Sequence, residues 1–313
     1  MRSAEVIRRS EQLALGRNDV ELHRAVAAKK LLRIAPGSYV RPEDWAALDP
    51  IEQHRMRVIE YSRRLHPDTV YSHFAAAAVW GIRMLSTWPD EIHVTAPPSR
   101  GGRSEGKVRR HCTLLGDAQV TEQAGLRVTT PARTVVDLAR ILPFTDAVVA
   151  MDSALRTRGG NPLANPEDIA LTVDSLSGRA GSARALAAAG FATPLSDSPE
   201  ESHSRVLLHT LGFPRPELQR SFQLPDGGTA EVDFYWEEFG HAGECDGRSK
   251  YRDARILRGR RPEDVVIEEK NRENQLRRIV GRLSRWEPAE LYSPRRFYDH
   301  LTRDGLRSYR PRP

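Results

Sequence analysis

The chain has 313 residues, 39% hydrophobic, 29% charged and 7% aromatic, which supplies folded cores and excludes a disordered or fibrous polymer. Lysine and arginine number 48 against 42 aspartates and glutamates, a formal charge of +6 that favours a nucleic-acid partner without requiring one. No apolar run reaches membrane-spanning length, two cysteines (Cys112 and Cys245) exclude a disulfide framework, and the charged start MRSAEVIRRSEQLALG lacks an apolar signal core, so the expected location is cytoplasmic.

Val6, Ile7, Leu13 and Leu15 predict a first helix that ends at a turn at Gly16. Asn18 is placed to cap a second helix, NDVELHRAVAAKK, with Glu21 completing a capping box and Val20, Ala25, Val26 and Ala27 on the buried side. LLRIAPGSYV reads as two short strands around a Pro36-Gly37 turn. Helix, turn, helix and β-wing is the order of a winged helix-turn-helix over residues 1–45. Its candidate contacts to double-stranded DNA are Arg17, Asn18, Arg24, Lys29, Lys30 and Arg33, with one helix in the major groove and the wing on phosphate. A protein-binding winged helix fits the same pattern.

Residues 46–190 read as a mixed α/β middle domain with a helical tail. IEQHRMRVIEYSRRL has helical spacing, and Ser72 is placed to cap an alanine-rich helix. EIHVTAPP predicts a strand, SRGGRSEG a basic turn, and VRRHCTLL and QVTEQAGLRVTT further strands. Thr130 and Pro131 open a helix with TVVDLARIL on one face. Trp45 and Trp80 read as core anchors. His23, His54, His66, His73 and His93 read as scattered, without metal-ligand spacing. The Pro/Ser-rich, acidic ATPLSDSPEE marks a boundary between 188 and 200.

Residues 195–313 predict a helix over SPEESHSRVLLHTLGFP, a hairpin of ELQRSFQL and TAEVDFYW, a third strand at HAGECDG, a long polar helix over VVIEEKNRENQLRRIVG and a final helix. Glu201 lies on the first helix and Asp233 on the second strand, while Glu244 and Asp246 share a face of the third and Cys245 between them turns to the core. Asp233, Glu244 and Asp246 suit a hard cation, Mg²⁺ with Mn²⁺ as an alternative, which would activate water and stabilise charge on a phosphodiester. The same acids equally suit turn caps and arginine pairs. Lys250 or Lys270 fits beside the reacting phosphate, or in solvent.

From about 195 to 300 the motifs SPEESHSR, EVDFYW, GECDGRSKY and EEKNRENQLRR resemble, in that order, the very-short-patch-repair-like branch of the PD-(D/E)xK nuclease superfamily. The resemblance implies a restriction-endonuclease-like α/β domain with Glu201, Asp233, Glu244 and Asp246 as its acidic set. Asp246 stands where the usual E-x-K lysine would be, so Lys250 or Lys270 has to fill that role. Up to about residue 155, APGSYV, YSHFAAAAVWGI, IHVTAP, LRVTTPARTVVDLAR and MDSALR resemble AbiEi-type antitoxins of type IV toxin–antitoxin systems. That resemblance implies operator binding by the winged helix, repression of the chain's own operon, and a nucleotidyltransferase-like toxin as partner. Three functions follow: a DNA-binding, Mg²⁺-dependent endonuclease, which is the first expectation; a repressor or antitoxin with a degenerate nuclease-like domain; and a toxin-binding protein that touches no DNA.

Overall fold

A computed structural model describes residues 4–16, 18–98, 104–245, 271–272 and 274–313. The chain divides into two units, Met1–Ala154 with Pro162–Phe191, and Leu155–Asn161 with Ala192–Pro313. Both are mixed α/β, and three separate sheets are present among the described residues. No helix among them is long and apolar enough to cross a membrane.

The first unit opens with β1 (Ile7–Arg8), α1 (Arg9–Ala14), α2 (Asp19–Ala27), β2 (Leu32–Ala35) and β3 (Ser38–Val40). β3 is the middle strand of a three-stranded antiparallel sheet, with Ile7 opposite Tyr39 and Leu32 opposite Val40. Ile7 is therefore strand, not helix; it is β-branched, and pairing with β3 satisfies backbone groups that a one-turn extension of α1 would leave open. Asn18 caps α2 as expected, but its Oδ1 accepts from the Val20 N–H at 2.9 Å, not from Glu21. Leu22 is the buried residue of α2, with Ala25 and Val26 beside it, while Val20 is 48% exposed. Residues three and four apart share a helix face and residues two apart do not, so choosing Leu22 turns Val20 outward.

α3 (Pro42–Ala46) and α4 (Pro50–Ser62) follow, the latter started by a reciprocal Asp49–Glu52 capping box. Trp45 packs with Ile34, Val40 and Leu48. Glu60 of α4 is 2% exposed and accepts from Arg8 Nε (3.0 Å), Arg8 Nη2 (2.8 Å) and Ser38 Oγ (2.8 Å), which ties the small sheet to α4.

Next come β4 (Val70–Tyr71), α5 (His73–Trp80), β5 (Ile92–Ala96), β6 (Val108–Cys112), β7 (Val120–Gln123) and β8 (Leu126–Thr129). They form a five-stranded sheet in the order β6-β5-β4-β8-β7, parallel at β5–β6 and β4–β8 and antiparallel elsewhere. Four successive alanines of α5, Ala75 to Ala78, are at most 1% exposed, and their small side chains let the helix lie close against its neighbours. α6 (Pro131–Ala139) begins at Thr130, with Pro131 in its first turn. It was expected to bury one face; every residue from Ala132 to Ala139 is buried, because α5, α8 (Pro166–Ser175) and α9 (Ser182–Phe191) all pack on it. The intervening α7 spans Phe144–Leu155.

The second unit contains α10 (Pro199–Thr210), β9 (Glu217–Gln223), β10 (Thr229–Trp236), β11 (His241–Cys245), β12 (Arg282–Trp286) and α11 (Pro294–Arg303). Its sheet runs β12-β11-β10-β9, antiparallel except for β11–β12. Two cores flank it. Phe234, Trp236, Cys245 and Trp286 pack with residues of α10 and α11, whereas Ala230, Val232 and Ala242 pack with Leu276, Val280 and Leu283. Along β10 the change from one core to the other falls at Asp233, between the pairs Val232–Arg220 and Phe234–Leu218, and Gln219 on β9, between Leu218 and Arg220, has φ +52°. A non-glycine residue in that left-handed region is uncommon.

Candidate functional site

The acidic residues are positioned by the start of α10 and by β10 and β11. Ser198 Oγ accepts from the Glu201 N–H (3.1 Å) and donates to Glu201 Oε1 (2.9 Å). The Asp197 N–H (2.9 Å) and Gln219 Nε2 (3.0 Å) both donate to Glu201 Oε2. Burial, and after it the negative charge of Asp233, push the Glu201 carboxyl up to about 7 against those hydrogen bonds. Asp233 Oδ2 accepts from the Cys245 N–H at 2.9 Å. Glu244 is 7% exposed and lies 2.7 Å from Arg285 Nη2 and 3.4 Å from Arg272 Nη2.

Two residues that the motifs did not single out join this group. Arg158 donates to Asp197 Oδ2 (2.6 Å), to Gln219 Oε1 (3.1 Å) and to Glu231. Gln219 thus links Arg158 to Glu201. A hard cation would suit Glu201 and Asp233, since it relieves their repulsion; Glu244 would have to part from two guanidiniums to join them. Asp246, Lys250 and Lys270 lie outside the described residues. Trp236 is 2% exposed in the core, and its Nε1 donates to Pro214 O at 2.8 Å.

In the N-terminal segment Arg24, Lys29, Lys30 and Arg33 are exposed, and none of them makes an ion pair with another described residue. The Asn18 side chain is occupied by the cap, and Arg17 lies outside the described residues. Lys29 has φ +56°, and the Lys30 N–H reaches back to Ala25 O at 2.9 Å, so the two lysines close the C-terminus of α2, where positive charge complements the helix dipole.

The histidines are not all scattered. His73 at the start of α5, His93 on β5 and His111 on β6 bring one ligand atom each within 4.8 Å of one another. His93 lies opposite Arg109, and His111 opposite Thr95, across the parallel β5–β6 pair, which sets both imidazoles on one face. His93 Nδ1 and His111 Nε2 are 3.1 Å apart. The His73 ring stacks on His111 with 3.7 Å between centroids, and its Nδ1 is 3.0 Å from Ser72 Oγ, which accepts from Thr95 Oγ1 at 2.8 Å. Ser72 was expected to cap α5 with its side chain; its hydroxyl is taken by these neighbours instead and makes no cap hydrogen bond. Burial holds His93 down at about 3 and His111 at about 4, with His111 and then Arg109 adding to the former and Arg109 to the latter. His73 is driven well below its ordinary value, again by burial first. Strand alternation in VRRHC was the one signal that could have placed His111 beside a partner strand.

Residues 71–188 match the family described as AbiEi antitoxin C-terminal domain. The match starts within β4 and ends within α9, so it contains the three histidines. The chain is 30% identical over 169 residues to the uncharacterized proteins Rv2248 and MT2308 of Mycobacterium tuberculosis, covering 54% of this chain and 59% of each relative. It therefore spans under two thirds of the length of those curated relatives. A solved structure, that of the RV2827C protein from Mycobacterium tuberculosis, aligns with TM-score 0.35 and 18% identity over 71% of this chain and 84% of that one.

Proposed function

We propose that the chain is an antitoxin-type transcription regulator. In this reading residues 1–45 are a winged helix that binds operator DNA, residues 46–190 act on a cognate nucleotidyltransferase-like toxin, and residues 195–313 are a catalytically degenerate nuclease-like domain. The observation that carries the reading is the antitoxin match over residues 71–188, which follows the strand–helix–helix–strand–strand segment Ile7–Val40 with α3 and α4 between them. Exposed Arg24, Lys29, Lys30 and Arg33 in that segment support phosphate contact. A reporter gene placed behind the DNA upstream of the chain's own coding region tests it. Repression is expected with the intact chain and is expected to be lost in the Arg24→Ala, Lys29→Ala, Arg33→Ala triple variant. Equal expression with and without the chain would refute the regulator reading.

A second reading, Mg²⁺-dependent cleavage of DNA, is favoured by one arrangement: the carboxyl of buried Glu201 is raised by burial and then by the charge of half-buried Asp233, and a cation would offset that charge. Incubation of supercoiled and linear DNA with Mg²⁺ or Mn²⁺ separates the two readings. Nicking that disappears in Asp233→Ala supports the nuclease; intact DNA under all these conditions supports the regulator alone.

A further inference from the structure

We propose that His73, His93 and His111 form a binding site for one zinc-class divalent ion, each giving one ring nitrogen, with water in the fourth position. The donor set selects the ion. Three imidazoles without a carboxylate suit Zn²⁺ and its neighbours among transition metals and do not suit Mg²⁺ or Ca²⁺, which need oxygen.

The geometry is close to what such an ion requires. Two nitrogens bound at about 2.0–2.1 Å in a tetrahedron lie about 3.3 Å apart. His93 Nδ1 and His111 Nε2 already stand 3.1 Å apart, held by an N–H···N bond that an ion would replace. The widest separation in the group, within 4.8 Å, has to contract toward that value, and the stacked His73 and His111 rings have to fan apart. Both changes use the terminal ring torsion of histidine, which is broad and soft. The surroundings orient the third ligand: with Nδ1–H donating to Ser72 Oγ, His73 presents Nε2, and Thr95 Oγ1 holds Ser72 in turn. A hydrogen bond on the non-ligating nitrogen is the usual way a ligating histidine is fixed. The backbone of His73 lies at φ +49°, in the left-handed region that histidine visits more often than most residues.

Positive charge nearby opposes a dication. Arg109, Arg133 and Arg140 all bear on the cluster. Two of them, Arg133 and Arg140, are paired with Asp137, which offsets part of that field. The ion would join β5, β6 and the start of α5, three pieces of chain that the sequence keeps far apart.

The test uses the untagged full chain carrying Cys112→Ser, because Cys112 is exposed beside His111 and a thiolate would confuse metal uptake. Calorimetric titration with Zn²⁺ is paired with Co²⁺ titration followed by visible absorption. One ion per chain, the intense bands of four-coordinate cobalt and a rise in Tm are expected. Uptake should fall at least tenfold in His93→Gln and in His111→Gln and stay unchanged in His66→Gln. Absence of uptake, a weak six-coordinate cobalt spectrum, or uptake retained in both variants overturns the proposal. The cobalt spectrum of the chain with all three histidines decides the matter even if a variant fails to fold.

Discussion

Arg133 Nε lies 2.8 Å from Asp137 Oδ2 within α6, and both side chains are 1% exposed. Arg140 Nη1 also reaches Asp137, at 3.2 Å, and Arg133 Nη1 donates to Gln119 Oε1 at 2.7 Å. Burial raises the Asp137 carboxyl against the opposing pull of the two guanidiniums. Breaking such a pair leaves a charge in the interior. Asp137→Ala is expected to cost about 3–5 kcal/mol in urea unfolding, whereas the double replacement Arg133→Met, Asp137→Leu should recover most of that loss. A cost below about 1 kcal/mol for the single variant would show that water reaches Arg133.

His54 in the first unit and Glu201 in the second should respond to acid in opposite directions, while buried His241 of the second unit shares the sign of His54. His54 is 2% exposed, and burial, aided by Arg57, lowers it to about 4. The unfolded chain then takes up a proton between pH ~6.5 and 4 that the folded chain refuses, so stability falls as pH drops through that window, by up to about 1.4 kcal/mol per pH unit per group. His93 and His111 add to the same trend in metal-free protein. Glu201, raised to about 7, has the reverse sign: its contribution is present at low pH and is lost as pH rises toward 7. Calorimetric scans at pH 5 and pH 7.5 should show Glu201→Gln stabilised relative to the unaltered chain more at pH 7.5 than at pH 5. An equal difference at both pH values would contradict the Glu201 assignment.

Gly243 sits where no side chain fits. A Cβ there would lie 2.7 Å from the Trp286 ring and 3.1 Å from the Trp236 ring. Both indoles are fixed by hydrogen bonds, Trp286 Nε1 to Ser204 Oγ and Trp236 Nε1 to Pro214 O, each at 2.8 Å, so neither yields easily. Gly243→Ala is expected to destabilise by about 1–3 kcal/mol and to shift tryptophan emission. A chain that unfolds at the unchanged urea midpoint would mean the sheet slides to make room.

Helix starts were the most legible feature of the sequence. Asp49-Pro50, Thr130-Pro131 and Ser198-Pro199 each put a capping residue before proline, and α4, α6 and α10 begin there. What stayed hidden is non-local. The histidine cluster needs β5 and β6 paired in parallel and α5 laid beside them, and no spacing along the chain encodes that. Arg158 reaches Asp197 and Glu231 because Leu155–Asn161 belongs to the second unit, although it sits in the sequence between helices of the first. Glu201 shows a different limit. One glutamate three residues after Ser198 is both an ordinary helix-start partner and a candidate metal-site acid, and its sequence context cannot separate the roles.

The regulator reading meets its most direct test in equilibrium binding of the full chain to fluorescent duplex DNA from upstream of its coding region, measured at several salt concentrations beside a scrambled duplex. Binding should be tighter to the native sequence and weaken steeply with salt. The Arg24→Ala, Lys29→Ala, Arg33→Ala variant should lose affinity and lower the salt slope by roughly one for each phosphate contact removed. Affinity and slope unchanged in a folded triple variant, or no preference for the upstream sequence, would contradict operator binding by the N-terminal segment.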